Sequence, residues 1–313
     1  SDGKKIEYTS DENGYLNPPG YLKNNIKLEY LLVGDSYTAY PEYSEYLRNF
    51  TNKSVYSIGM GGQGLIHWQY QLKKFNSIYE KKSSPKNIIF NFYENDLEDT
   101  LRAKKYYDKG YTHSIYYPTN KYSDNLEKID RKISFFHEFY SIIRYIIVMS
   151  KIREKINKLF FKNSDTLIDQ YSFLFSDGDC QIRFENPFLN SKDYFSETNI
   201  KIFKNSINSA LQNIDYNKTK VYFVYIPSPN VIYSKKYKSS AMFKNTYSTH
   251  KKIDKFFKEF FKNSKNRVTY VNFTDSLIEM GAKENLYPCN GKDSHFSHNG
   301  FKIFVKNLIN KLN

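Results

Sequence analysis

Short apolar segments alternate with amphipathic segments over most of this chain. Five of the apolar segments are rich in β-branched and aromatic residues and are bounded by turn-forming residues, which is the pattern of buried strands. The predicted strands are residues 29–33, 54–58, 87–92, 220–226 and 268–273.

Amphipathic segments predict helices between several of these strands. In the last of them, apolar residues recur at three- and four-residue steps. The predicted helices are residues 41–50, 66–79, 197–214, 249–263 and 300–312. Strands that alternate with helices form βαβ units. The expected fold class is therefore α/β: a flavodoxin-like three-layer sandwich with a parallel sheet of about five strands and helices on both faces.

One segment is too long to be a plain crossover between strands. Residues 100–196 contain a long amphipathic helical region, 125–161, followed by a segment that we interpret as a polar loop, 175–188. We predict a largely helical insertion, either a lid or substrate flank or a helical pair that thickens the core. The predicted organisation is then an N-terminal extension at 1–27, a core at 28–99 and 197–313, and the insertion at 100–196.

Charge and cysteine content narrow the function classes. The 313-residue chain carries 47 Lys and Arg against 33 Asp and Glu, a formal net charge of +14. Such a balance favours anionic partners, but the lysines are scattered along the chain, which favours a solvated basic surface. No zinc-finger spacing or RNA-binding signature is present, so nucleic acid is not expected as a partner. No apolar run of 18 residues predicts a transmembrane segment. Cys180 and Cys289 form either a disulfide or two unpaired buried thiols.

A serine follows the first predicted strand directly. Ser36 lies in the sequence GDSY, between that strand and a helix, at the strand end where α/β sheets bind their ligands. Gly34 permits a tight turn there, and the helix N-terminus presents unpaired N–H groups to a developing oxyanion. The alternative is that Asp35 or Ser36 only caps the helix.

An acid and a histidine stand before the last predicted helix. Asp293 and His295 are two residues apart in an extended loop, so their side chains point the same way. The carboxylate can hold one ring nitrogen and leave the other for a serine, as in a Ser-His-Asp system. His298 is the rival base, although a protonated His at a helix start meets an unfavourable dipole.

Two further loops complete a constellation at the strand ends. Glycines at 59, 61, 62 and 64 follow the second strand and allow close backbone approach to a ligand. Asn95 follows the third strand, where its amide can donate to an oxyanion. The alternative for Asn95 is an Asx-turn that ends the strand.

These four segments, in this order, resemble the four blocks of the SGNH, or GDSL-like, hydrolase superfamily. The blocks are GDSY, SIGMGGQG, FYENDLED and DSHFSHNG. The resemblance implies Ser36 as nucleophile, Gly62 and Asn95 as oxyanion donors, and Asp293 and His295 as acid and base. Gly300 fits the family pattern in which a Gly stands five residues after the His. The resemblance covers the core and not the insertion.

Two departures mark a subgroup of that family. Glu94 precedes Asn95 where the family usually has glycine, and the acid and base are spaced by two residues, where three is common. The two-residue spacing resembles that of periplasmic members that O-acetylate exopolysaccharides. The resemblance implies an exported protein of the periplasm or cell envelope, working beside envelope-polysaccharide proteins.

The expected activity is that of a serine esterase on O-acyl, in particular O-acetyl, groups of a bacterial envelope glycan, with no cofactor and no metal. Two alternatives stay open beside it: an O-acetyltransferase that uses the same triad with a glycan hydroxyl as acceptor, and a non-catalytic glycan-binding module. For substrate binding we single out Tyr106 and Tyr107, whose rings suit a sugar. Ordinary surface aromatics are the alternative for these two residues.

Overall fold

The computed structural model describes residues 8–22, 26–79, 84–108, 166–167, 172–177, 180–185, 194–212, 214–236, 241–263, 267–289 and 293–312.

A five-stranded parallel sheet forms the centre of the molecule. Its strands are β1 (Tyr30–Val33), β2 (Val55–Ser57), β3 (Asn87–Tyr93), β7 (Lys220–Ile226) and β8 (Val268–Val271). They are ordered β2-β1-β3-β7-β8, so the chain winds outward in both directions from β1 and β3. All seven residues of β3 are buried, and β3 pairs with β7 along its whole length. The predicted α/β fold class and its five-stranded parallel sheet are confirmed.

Helices cover both faces of this sheet. They are α1 (Ser36–Ala39), α2 (Pro41–Thr51), α3 (Trp68–Tyr79), α4 (Asp96–Asp108), α5 (Glu197–Leu211), α6 (Pro229–Ile232), α7 (Ala241–Lys262), α8 (Thr274–Gly281) and α9 (His298–Leu312), with a 3₁₀ turn, Leu65–His67, before α3. Successive strand residues point to opposite faces. Phe90 therefore packs into a core with α3, α5 and α7, whereas Ile89 packs into a core with α2, α8 and α9. These two cores make the three layers.

The segment interpreted as a polar loop contains strands, so that prediction is wrong. β4 (Thr166–Leu167), β5 (Ser172–Asp177) and β6 (Cys180–Glu185) form a small antiparallel sheet. In β6, Ile182 and Phe184 alternate with polar residues, a period of two that sequence reasoning overlooked. β5 and β6 pair from Ser172 with Glu185 to Asp177 with Cys180.

The structure describes only some of the remaining residues of the predicted insertion. The helical region predicted for 125–161 lies outside the described residues, and so its helical character stays a prediction. Helix α4, absent from the predicted helices, crosses the boundary proposed at residues 99 and 100. After α3 and β3, the chain thus enters α4, which begins in the predicted core and ends in the predicted insertion.

The N-terminal segment packs against β2, an edge strand of the large sheet. The Asn17 side chain accepts a hydrogen bond from Ser57 N at 2.9 Å and donates one to Ser57 O at 2.8 Å. It thus satisfies backbone groups that an edge strand leaves exposed. Buried Tyr15 extends the core beneath it, and Asp11 accepts a hydrogen bond from the Tyr56 hydroxyl at 2.6 Å.

A disulfide joins the small sheet to the segment before α9. Cys180 of β6 is bonded to Cys289, 109 residues later in the chain, and Gln181 N donates to Cys289 O at 3.3 Å. Of the two alternatives for the cysteines, the structure has the disulfide. Such a bond is consistent with an oxidising, extracytoplasmic location. Within the described part of the chain, no helix is both long and apolar enough to span a bilayer.

We expect reduction of this disulfide to destabilise the protein. The bond closes a loop of 109 residues, and bonds of this kind typically stabilise by about 2–4 kcal/mol. Adding a thiol reductant should lower the melting temperature by roughly 5–10 °C, followed by circular dichroism. The double variant Cys180→Ser/Cys289→Ser is the control, since its melting temperature should not respond to reductant. A wild-type protein that melts at the same temperature in both conditions would contradict the expectation.

Candidate functional site

Ser36 begins helix α1 directly beyond the end of β1. The turn requires glycine at position 34, because a Cβ there would lie 2.2 Å from Thr38 Oγ1 and 2.8 Å from the Asn91 carbonyl oxygen. Asp35 caps the helix, with its Oδ1 accepting a hydrogen bond from Tyr37 N at 3.0 Å. Since Asp35 supplies the cap, the capping alternative does not account for Ser36, whose half-buried side chain points elsewhere.

The structure brings Ser36, His295 and Asp293 together in one hydrogen-bonded chain. His295 Nε2 lies 2.7 Å from Ser36 Oγ, across 259 residues of sequence. His295 Nδ1 lies 2.7 Å from Asp293 Oδ1, which also accepts from the His295 backbone N–H at 3.0 Å. His298, the rival base, is exposed and contacts the Tyr46 hydroxyl instead of Ser36.

The surroundings of Asp293 favour its ionised form. Partial burial opposes ionisation, but the hydrogen bonds and charge of His295, together with a hydrogen bond from the Tyr40 hydroxyl, hold the pKa of Asp293 well below its usual range. A carboxylate at this position accepts from Nδ1–H, which fixes the tautomer that leaves Nε2 as acceptor for Ser36. The arrangement thus has the order of donors and acceptors that a serine–histidine–acid relay needs.

The glycine loop after β2 passes close to Ser36. A Cβ added to Gly61 would lie 3.8 Å from the Ser36 Cβ, and Met60 N donates to Gly34 O at 3.2 Å. Gly62 has a φ of 71°, in the left-handed region that favours glycine. The loop therefore approaches Ser36 with a backbone conformation that other residues adopt at a cost.

Asn95 lies half-buried between β3 and α4. Its carbonyl accepts from Asp99 N at 3.0 Å, as the first turn of the helix requires. Its side-chain Oδ1 is buried and makes no hydrogen bond to any described residue. An Asx-turn needs that oxygen to accept from the backbone two residues on. The Asx-turn alternative therefore does not describe this residue, and Asn95 stays a predicted oxyanion donor.

Two tyrosines that sequence reasoning missed contact Asp293, His295 and the residue between them. The Tyr37 hydroxyl donates to the Ser294 carbonyl at 2.6 Å, and the Tyr40 hydroxyl donates to Asp293 Oδ2 at 2.9 Å. Both rings also contact the imidazole of His295, with centroids 4.6 Å away in each case. Their positions one and four residues after Ser36 do not by themselves reveal these contacts.

The predicted sugar-binding tyrosines stand on the last turn of a helix. Tyr106 and Tyr107 belong to α4, but their side chains lie outside what the structure describes. Their role in substrate binding stays a prediction, as does the choice between a lid and a structural insertion.

Glu94, in place of the usual glycine of the third block, is buried in a polar network. It is fully buried and accepts a hydrogen bond from the Tyr225 hydroxyl at the end of β7. The same hydroxyl lies 2.8 Å from His250 Nδ1 of helix α7. Burial raises the pKa of Glu94 to about 7, against the opposing effects of Ser228 and Tyr225, and burial lowers the pKa of His250 to about 4.

Comparison with known proteins adds no family assignment. No family model matches the chain, and no curated protein sequence is significantly similar to it. Within the described ranges, no three His, Cys, Asp or Glu side chains are grouped so that they could hold a metal ion.

We expect Glu94 to make stability fall as the pH rises. Its pKa is higher in the folded chain than in the unfolded chain, so between about pH 4.5 and 7 the folded state binds more protons. Glu94→Gln keeps an acceptor for Tyr225 and removes the titration. Its free energy of unfolding relative to wild type should rise by on the order of 3 kcal/mol between pH 4.5 and pH 8.

Urea denaturation at the two pH values measures this difference. The matched control is Glu45→Gln, which changes an exposed glutamate of α2 and should follow the wild-type pH dependence. If Glu94→Gln and wild type differ by the same amount at both pH values, Glu94 does not titrate in this window.

Proposed function

We propose that this protein is a serine esterase that works through an acyl-enzyme formed on Ser36. The observation that carries the proposal is the hydrogen-bonded chain from Ser36 Oγ through both nitrogens of His295 to Asp293, with 2.7 Å at each step. A serine is a weak nucleophile unless a base takes its proton, and His295 stands where such a base must stand. A purely structural role would not require a serine, a histidine and an aspartate to be hydrogen-bonded in this order.

The proposed reaction has two steps. His295 takes the Ser36 proton through Nε2 as Oγ attacks the ester carbonyl, and then gives that proton to the departing alcohol as the acyl–alcohol bond breaks. Water then attacks the acyl carbon while His295 accepts one of its protons. As the bond between the acyl carbon and Ser36 Oγ breaks, His295 returns that proton to Oγ and the carboxylic acid leaves. Asp293 stays ionised throughout and stabilises the imidazolium.

The oxyanion is assigned to donors on three neighbouring loops. We propose the N–H groups of Ser36 and Gly62 and the side-chain amide of Asn95. The positive end of α1 does not by itself suffice, since the helix has only four residues. The approach of the glycine loop to Ser36 supports the assignment of Gly62, and the position of Asn95 between the end of β3 and the start of α4 supports that of its amide.

Membership of the SGNH superfamily is part of this proposal. The four blocks of the resemblance follow β1, β2, β3 and β8, and they approach one edge of the sheet. Glu94 departs from the family pattern at the position before Asn95, and its side chain is buried against Tyr225 of β7.

The proposed substrate is an O-acyl group, in particular O-acetyl, on a bacterial envelope glycan. The resemblance to exopolysaccharide-modifying members favours it, and so does the disulfide, since the periplasm and cell envelope are oxidising locations. A basic protein also suits an acidic polysaccharide. A glycan hydroxyl in place of water would turn the same acyl-enzyme toward transfer, and product analysis with a free glycan acceptor separates the two outcomes.

Ser36→Ala should abolish both acyl-enzyme formation and ester hydrolysis. The measurements are covalent labelling with a fluorophosphonate, read by intact-protein mass spectrometry, and turnover of p-nitrophenyl acetate. Ser77→Ala is the control, since the exposed Ser77 hydroxyl donates to Lys74 O on helix α3 and lies outside the hydrogen-bonded chain of Ser36. Undiminished labelling of Ser36→Ala would exclude Ser36 as the nucleophile. Absence of labelling in the wild type would remove the esterase proposal.

Asn95→Ala should lower kcat, and the fluorophosphonate should still label Ser36 in this variant. Loss of one oxyanion donor typically costs about 10²-fold in kcat. Steady-state kinetics on p-nitrophenyl acetate give the number, with thermal melting to show that the variant is folded. An unchanged kcat would remove Asn95 from the oxyanion site.

A further inference from the structure

Tyr40 occupies a backbone position that the neighbouring residues fix. It ends α1, with its N–H donating to the carbonyl of Ser36 at 3.2 Å, and it precedes Pro41, the first residue of α2. A residue before proline is kept out of the helical region, and Tyr40 has the extended angles φ −61° and ψ 123°. The side chain therefore leaves the helix axis one turn after Ser36 and reaches the opposite loop.

The hydroxyl of Tyr40 bonds to the oxygen of Asp293 that His295 does not use. It donates to Oδ2 at 2.9 Å, while Oδ1 accepts both hydrogen bonds from His295. A carboxylate held through one oxygen can rotate about its Cβ–Cγ bond, whereas one held through both oxygens cannot do so without breaking a bond. Hydrogen bonds to a charged group are also among the stronger ones in proteins.

The ring of Tyr40 holds the imidazole from its face. Tyr40 and His295 stack at a centroid distance of 4.6 Å with an interplanar angle of 29°, and Phe301 stacks on Tyr40 at 5.6 Å. Stacking restricts the tilt of the imidazole, and the hydroxyl restricts the carboxylate. One side chain thereby limits both members of the acid–base pair.

We propose that Tyr40 is a positioning residue that locks Asp293 and His295 in the geometry needed to activate Ser36. This inference rests on the proposed function, and it adds to that function a fourth residue acting through the acid. Tyr40 meets Asp293 on the Nδ1 side of the imidazole, whereas Ser36 meets Nε2. Its loss should therefore affect turnover and leave substrate binding unchanged.

The charged and titratable groups around this contact are few among the described residues. Besides His295, the Tyr8 ring meets Tyr40 edge-on at 6.5 Å, and the Tyr8 hydroxyl donates to Glu42 of α2 at 2.7 Å. Burial first, and then the charge of Asp293, raises the pKa of Tyr40 above its usual value, so its hydroxyl keeps the proton that it donates.

Two substitutions separate the hydroxyl from the ring. Tyr40→Phe keeps the stacking and removes the hydrogen bond, and we expect kcat on p-nitrophenyl acetate to fall about tenfold with KM unchanged. Tyr40→Leu removes both contacts, and we expect a loss of about a hundredfold. Tyr46→Phe is the control: it deletes a hydroxyl on the neighbouring helix, bonded to His298, and should leave kcat unchanged.

A second measurement does not depend on activity. The proton between His295 Nδ1 and Asp293 gives a low-field ¹H NMR resonance that reports their geometry, and Tyr40→Phe should shift or broaden it while Tyr46→Phe does not. A shifted resonance in a protein that neither labels nor hydrolyses would sustain the positioning role and overturn the esterase. An unchanged resonance and an unchanged kcat in Tyr40→Phe would overturn the positioning role. A fall in kcat matched by a fall in melting temperature, with the resonance unchanged, would also overturn it.

Discussion

Every contact of the candidate site depends on the parallel pairing of the strands in the large sheet. In parallel strands the carboxyl ends lie at one edge, and the loops that follow β1, β2, β3 and β8 meet there. Pairing of β1 with both β2 and β3 puts Gly61 beside Ser36. The long separation of Ser36 and His295 in sequence is therefore no obstacle, since both segments are anchored to the same edge. The close packing of Gly300 against Leu286, where a Cβ would lie 2.1 Å from the carbonyl oxygen, holds the start of α9 beneath His295.

The sequence predicted this edge well because strand and helix patterns there are regular. Residues 220–226 are the strand as predicted, and the other four strands differ by at most two residues at either end. The hydrogen-bonded chain of Ser36, His295 and Asp293 was also within reach of spacing arguments. Tyr40 was not, because a tyrosine four residues from a serine carries no mark of its contact with Asp293. The pairing of Cys180 with Cys289 was open for the same reason: two cysteines do not reveal the distance between them.

The elements that the sequence analysis missed are helix α4 and the hairpin of β5 and β6. Helix α4 begins with a polar, acidic turn at Asp96 and has little apolar periodicity, so burial of its first residues against the glycine loop, not its own sequence, accounts for its position. The hairpin of β5 and β6 was missed because the polar residues of the segment suggested a loop, although Ile182 and Phe184 alternate with polar residues in β6. Buried polar groups also collect near the site. Both amide atoms of Gln63 and one oxygen of Asn95 make no hydrogen bond to described residues, and unsatisfied groups of this kind are uncommon in proteins.

The Cys180–Cys289 bond also bears on how the chain can be divided. It ties the small antiparallel sheet to a residue that stands four positions before Asp293. The insertion is therefore not a detachable module, although it interrupts the core in sequence. A truncated chain that lacks Cys180 would leave Cys289 as a lone thiol four residues before Asp293. Chimeras and truncations of this protein therefore have to keep or replace both cysteines together.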